Sequence, residues 1–431
     1  MATVAVDQAK LVLNSFAAIF QNNLLSKDLV TWRKFDGEMN DRNALEVVEQ
    51  VVPDYTTTFT SSGVADLTSG VQDTTFGSER YKLDQTINSS MGWGDFVKIR
   101  DLDSARESEA LKAAALRLAT DIDAYILGFL TNASGNWMGD GSTDLSTWTH
   151  IAQGYTRLKE QGCDDADVVA VLDYKDWQAL GAQVLADNAS LTDVGEGVYR
   201  NGFSGKVAGI PTRFTQQLPS LTVGTRVASA TTLTNAPTAV TYASVANSPA
   251  PGQYLTQTIN LDGQTGAVTL VDGEVFTIAG VYAYDNRAKK RLSNLQQFRV
   301  IGNYTATAGA FTNVRIFPAI ISTGAYKTVD YTGSLDNLAV THLGAAGTTL
   351  KPRIIANKSA VVINTADLIT PATGEAMRRS LSKIPLSVRM WKHSDFNTGA
   401  HSIRFDVALK ADVMAGGRQR SVRINGGTGL S

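Results

Sequence analysis

The chain reads as an α+β protein that carries an inserted all-β domain, and three observations predict this. A block from roughly 222 to 350 holds eight Lys/Arg and six Asp/Glu, fourteen charges in 129 residues, while charged residues make up 19% of the whole chain. Within it, Gly273–Val281 and Leu295–Ile301 alternate like short strands, joined by a polar connection rich in Asn and Lys. On both sides of the block, helical and strand patterns mix.

Each element follows from its pattern. Leu11, Phe16, Ile19, Phe20 and Leu24 recur at helical spacing, so residues 5–27 are expected as an amphipathic helix. Standing ahead of the compact core, this helix reads as an arm that packs on something else. A shorter helix is expected around 41–49. From Val52 to Val97 the chain alternates in strand fashion at Thr56–Thr60, Val64–Thr68 and Arg80–Ile87, punctuated by Gly63, Gly70 and Gly77. This ribbon has too few apolar residues to form a core alone, and a lone two-stranded ribbon is marginal in water.

Residues 104–131 form the clearest helix. Ser104 and Glu107 have capping-box spacing. Leu111, Ala115, Leu118, Ile122, Tyr125 and Phe129 mark one stripe, and Arg106, Lys112, Arg117, Asp121 and Asp123 fall on other faces. Further helices are expected at 143–161 and 175–185. Strands are expected at 168–173 and 207–214, the latter with Pro211 marking an edge or bulge. In the β block, Ile278, Val281, Phe298, Val300, Val314 and Ile316 are the expected core. After it come strands at Pro352–Ala356, Ala360–Asn364, Leu386–Trp391 and Ile403–Leu409.

The bulk numbers exclude several classes. A formal net charge of −2 argues against nucleic-acid binding driven by overall charge. The charge is uneven: Lys351–Arg423 holds thirteen Lys/Arg and five Asp/Glu, or +8, which leaves −10 elsewhere. That segment is either a solvated basic face or a surface that meets an acidic neighbour. A single cysteine, Cys163, rules out an intrachain disulfide framework and fits a reducing compartment. No signal peptide or transmembrane run is present, so a soluble protein made in the cytoplasm is expected.

No catalytic, cofactor-binding or metal-binding residues emerge. His393-Ser394-Asp395 has triad letters, but sequence neighbours cannot form the relay. His393 and His401 lack further ligands, and His150 and His342 stand alone. Gly197–Gly202 and Gly202–Lys206 fail the phosphate-loop pattern. Asp164, Asp165 and Asp167 lack EF-hand spacing. Cys163, beside acidic residues, is a poor thiolate. Trp391-Lys392-His393 is an isolated basic-aromatic run and reads as a strand packing its Trp.

The order of parts resembles a known family. Leu83–Ile99 followed by Asp101–Ala110 is similar to the passage from ribbon to spine helix in the major capsid proteins of tailed double-stranded DNA bacteriophages. Lys206–Pro219 is similar to the segment before the insertion in the branch typified by phage P22, and Gly273–Val281 resembles a strand of its inserted barrel. The resemblance implies the fold named after phage Hong Kong ninety-seven. It divides the chain into an N-terminal helical arm (1–51), an extended ribbon or E-loop (52–97), the spine helix with the first part of the peripheral and axial domains (98–221), an inserted β-barrel (222–350) and the remainder of those domains (351–431). It implies hexamers and pentamers of an icosahedral shell, a scaffolding protein, a portal protein and enclosed double-stranded DNA contacted without sequence reading. Lys82 pairs with no particular Asn, so the subunit crosslink of some relatives is not carried over. The alternative reading is a tail or fibre component that binds through the Thr/Asn-rich β block.

Overall fold

Apolar periodicity builds both units of the molecule. The computed structural model describes residues 2–35, 46–52, 75–93, 109–139, 145, 147–163, 166–187, 206–207, 209–227, 232–234, 239–370, 375–394 and 401–425. One unit comprises Met1–Val47, Tyr81–Phe129 and Val361–Asp412, the other Val48–Arg80, Leu130–Ala360 and Val413–Ser431.

In the first unit the sheet order is Thr31–Lys34, Val361–Thr365, His401–Val413, Ser387–Ser394, Glu375–Ser380, and Thr86–Trp93 also pairs with His401–Val413. The N-terminal helix spans Ala2–Asn23. It buries Leu13, Phe16 and Phe20 in its own unit, and the Phe16 ring stacks on Phe405 with centroids 3.8 Å apart. The described part of this helix is therefore not an arm reaching elsewhere. Its stripe is wide enough to cover the unit's own sheet.

The long helix runs Glu109–Ala133. The capping-box residues Ser104 and Glu107, and Arg106, lie outside the described residues. Leu111, Ala115, Leu118 and Ile122 are buried as expected, and Lys112 and Arg117 are exposed. Tyr125 and Phe129 are only half-buried, because the 3.6-residue turn carries the stripe on through Ile126 and Leu130. Helical spacing puts Asp123 on an outer face, yet it is buried. Its carboxylate accepts the backbone N–H groups of Leu25 and Ser26 at 2.8 and 2.9 Å, capping the short 3-10 turn Leu25–Asp28.

The second unit has a sheet in the order Asn136–Met138, Ser421–Ile424, Arg353–Asn357, Val168–Leu172, Ile210–Phe214, Lys206–Val207. Pro211 sits beside the two-residue edge strand, where one missing N–H costs least. Helix Trp148–Glu160 places Ile151 and Leu158 in a core with Ile355 and Ile424, and helix Tyr174–Asp187 adds Leu180. Of the helix expected around 41–49, the described residues instead begin a strand, Glu46–Val51, paired with Gly77–Lys82, and 41–45 lie outside the described residues. Its alternate half-burial is a period of two that a short window does not separate from a helix. The strands expected at 56–60 and 64–68 lie outside the described residues.

A seven-stranded sheet occupies the charge-poor block. Its order is Thr232–Thr234, Gln257–Asp262, Phe311–Phe317, Lys290–Ile301, Val275–Asp285, Val329–Asp330, and Val340–His342 also pairs with Val275–Asp285. Val275–Asp285 and Lys290–Ile301 form the expected antiparallel hairpin, joined by 286–289. A register shift between Thr277 and Tyr282 accompanies Gly280 at φ 75°. All six expected core residues are fully buried, and Phe276 packs on Phe298 with centroids 5.8 Å apart. Among the described residues no ladder joins the two ends of this order into a closed barrel. The chain enters and leaves the block side by side, through a ladder of Leu221–Thr222 with Thr349–Leu350.

Candidate functional site

A charge-poor block makes each of its charges conspicuous, and those at its border converge. Arg226, Arg299, Arg418 and Arg423 are 1%, 2%, 7% and 0% exposed. Three of them hold three consecutive residues. Arg299 Nη2 donates to Asp272 Oδ1 at 3.1 Å, Arg423 Nη2 donates to the carbonyl of Gly273, and Arg226 Nη1 lies 2.6 Å from Glu274 Oε2. Glu274 Oε1 also accepts the N–H groups of Gly224 and Val271 at 2.8 and 2.7 Å. Gly273 turns the chain at φ 88°, a conformation that favours glycine. Arg423 lies over the Trp137 ring, 5.3 Å from its centroid, and Trp137 exchanges two backbone-to-amide hydrogen bonds with Gln297 at 2.7 and 2.9 Å. Arg418 donates to the carbonyls of Ala133 and Gly252 at 3.3 and 2.9 Å. The strand after the block is thereby tied to it by a charged group, and the strand before it by the Gln297 amide.

Burial disfavours every charged form here. It pushes Arg418 and Arg423 down to about 9, so both stay protonated at neutral pH, and it lowers Arg226 and Arg299 as well. Burial raises Glu274, against the pull of Arg226. His342 is held well below its usual range by burial and by Arg226, and so stays neutral.

The base of the ribbon joins the same border. Ser78 N–H donates to the Ala246 carbonyl and Ser248 N–H to the Ser78 carbonyl, both at 2.9 Å. Glu79 is buried, and its Oε1 accepts the N–H groups of Arg80 and Gly252 at 3.0 and 3.1 Å. Burial pushes Glu79 up to about 7. A Cβ on Gly77 would stand 2.9 Å from both Tyr242 Oη and Tyr254 Cε2, so only glycine lets the strand lie this close.

The residues that sequence analysis weighed do not converge. Cys163 is buried. His150 Nδ1 lies 2.9 Å from Thr147 Oγ1. His393 and His401 are on neighbouring strands, opposite Ser402 and Ser394 respectively, and their side chains lie outside the described residues. Asp164, Asp165 and the loop Gly197–Gly205 also lie outside them. Among the described residues no group of three or more His, Cys, Asp or Glu could hold a metal ion. Lys82 pairs with Asp84 at 3.1 Å. Trp391 lies under Arg389 and Arg404, both of which pair with Asp406. A concavity of about 620 Å³ gathers Tyr254, Tyr284, Arg287, Lys289, Tyr326 and Arg420.

The basic segment divides. Arg353 is buried and grips Asp176 with two hydrogen bonds of 2.8 and 2.7 Å, and Arg418 and Arg423 belong to the border. These three therefore do not form a surface for an acidic neighbour, while Arg378, Arg379, Lys383 and Lys392 remain exposed. Sequence reasoning missed the border as a site. The available signal was the set of lone arginines and the Asp-Gly-Glu turn in a block with so few charges.

The profile of a family described as P22 coat protein (gene protein 5) matches residues 1–416. A major capsid protein of Acyrthosiphon pisum secondary endosymbiont phage 1 is 23% identical over 418 residues, covering 93% of each chain. The capsid structure of cyanophage P-SCSP1u superposes with a TM-score of 0.44 at 11% identity, over 94% of this chain and 89% of that one. A Mycobacterium phage Che8 structure gives 0.42 at 11% identity, over 88% and 84%.

Proposed function

This chain belongs to the P22 coat protein family, and we propose from that premise how it builds a shell. It is a phage major capsid protein. Copies assemble into hexamers and pentamers, and these close into an icosahedral shell around double-stranded DNA, with a scaffolding protein guiding closure and a portal at one vertex. The observation that carries this reading is the family match over residues 1–416.

Physical features support it. Val48, Val52 and Phe76 are 54%, 72% and 51% exposed around the two-stranded ribbon base. Apolar side chains left in water on such a ribbon favour cover by another copy. A net charge of −2 lets the lumen hold DNA without binding it tightly. No described helix is long and apolar enough to cross a membrane. In this reading residues 222–350 are an inserted domain, entered and left through the ladder at 221–222 and 349–350, and the ribbon 52–97, anchored in its own chain through Gly77–Lys82 and Thr86–Trp93, reaches an adjacent subunit.

The test is electron microscopy of the full chain expressed with its scaffolding protein. Shells of uniform diameter are expected, and only monomers or trimers would overturn the reading. Deleting residues 60–74, which spares the strand Gly77–Lys82, should leave a folded monomer that does not assemble, whereas normal shells from that deletion would remove the ribbon's role. The exposed cations between Lys351 and Arg423 should make the assembly rate fall with salt, since exposed charges are screened over about 8–10 Å. Equal light-scattering rates at low and high salt would reduce them to a solvated face.

A further inference from the structure

The four buried arginines at the border of the charge-poor block face three carboxylates, Asp272, Glu274 and Glu79. Four positive and three negative charges leave a surplus of one cation. The partners can be assigned. Arg226 has Glu274, and Arg299 has Asp272. Arg418 is near Glu79 and donates to the carbonyl of Ala133, the last residue of the long helix, where the helix carries partial negative charge. Arg423 has only a carbonyl, a ring face and a share of its neighbours' carboxylates. It is the surplus cation, and it is fully buried.

The hydrogen bonds point to the same place. Nε and Nη1 of Arg423, and Nε and Nη1 of Arg299, have no hydrogen-bond partner among the described residues. The two guanidiniums hold consecutive residues, Asp272 and Gly273, and each lies within electrostatic reach of the other. Like charges within reach of each other and out of water repel, and an unpaired buried charge is costly. Water could satisfy the N–H groups but would leave the charge. His342 cannot help, because it stays neutral.

We propose that this border is an anion site: one small monovalent anion of the halide class binds between Arg299 and Arg423 and completes the attachment of the block. The burial of both side chains excludes a polymer such as nucleic acid, and the single surplus charge sets the valence. The site does not rest on the shell reading, because its groups lie within one chain and can be measured before assembly.

The experiment is thermal and urea unfolding of the full, unassembled chain at pH 8, in sodium fluoride, chloride and bromide at constant ionic strength. Chloride and bromide should stabilise in a saturable way, shifting the folding equilibrium roughly tenfold when the anion stands near ten times its dissociation constant. General salt effects rank the three ions the other way, since well-hydrated, excluded anions favour the folded state most. The same stability in all three salts, or fluoride as the best, would overturn the proposal. Arg299→Gln should abolish the chloride dependence. Should that variant fail to fold, the bromide-soaked wild type decides: anomalous density between Arg299 and Arg423 is expected, and only water there, or a carboxylate of the chain, refutes it.

Discussion

Inside the seven-stranded sheet, Phe276, Phe298, Val300 and Phe311 are fully buried and need only one another. At the border of that sheet, Arg226, Arg299 and Arg423 are buried almost as deeply, but each needs a particular partner. The interior is stabilised by non-directional burial of apolar area, to which any neighbour of the right volume contributes. The border is held by directional pairs, where losing one member leaves the other stranded. The first kind of burial makes the block cohesive. The second fixes where its ends attach.

Single substitutions separate the two. Phe298→Ala should cost about 3–5 kcal/mol through the cavity it leaves, with little dependence on pH; urea midpoints at pH 5 and 8 would check both points. Arg226→Met should cost a similar amount, about 3–5 kcal/mol at pH 8, because Glu274 is left charged and buried. That loss should shrink in acid, where Glu274 protonates. A loss independent of pH would place Arg226 with the apolar interior.

Glu79 gives the border its own pH signature. Its folded value of about 7 lies above its ordinary 4.5, so the folded chain binds that proton more tightly than the unfolded chain does. The stabilisation is full below about 4.5 and is lost as pH rises through about 7, on the order of 3 kcal/mol in all. Asp412, raised to about 6 by burial, acts in the same direction. His342, held below its ordinary value, works the other way, so the difference between variants is the readout: from pH 4 to 8 the wild type should lose stability relative to Glu79→Gln, whose amide oxygen keeps the two backbone hydrogen bonds.

Smaller effects sharpen the contrast. Gly77→Ala should cost about 1–3 kcal/mol by overpacking against Tyr242 and Tyr254, and Tyr254→Phe would not relieve it, because the ring edge remains. Arg117→Ala should cost under about 0.5 kcal/mol, since its pair with Asp121 is exposed on the long helix. Thermal melts resolve the first and should leave the second within error.

Much of the fold is written in local periodicity. The helix Glu109–Ala133, the hairpin of Val275–Asp285 with Lys290–Ile301, and all six expected core residues of the block are legible in the sequence, because side-chain alternation and helical spacing extend over a few consecutive residues. The resemblance to tailed-phage capsid proteins is legible as well, because it rests on the order of parts. The strand Glu46–Val51 is not, since six residues do not distinguish the two periods.

Only the tertiary structure decided the rest. Asp123 has the spacing of a solvent-facing helix residue, but Leu25 and Ser26, nearly a hundred positions away in sequence, present their N–H groups to it. The helix with the pattern of an arm covers its own sheet, because Phe16 meets Phe405. Arg423 reaches Gly273 across 150 positions, and nothing near either residue announces the other. A hydrophobic face is a repeating local pattern and can be read from sequence alone. A buried charge pair is one contact between distant residues with no period, and it exists only once the chain has brought them together.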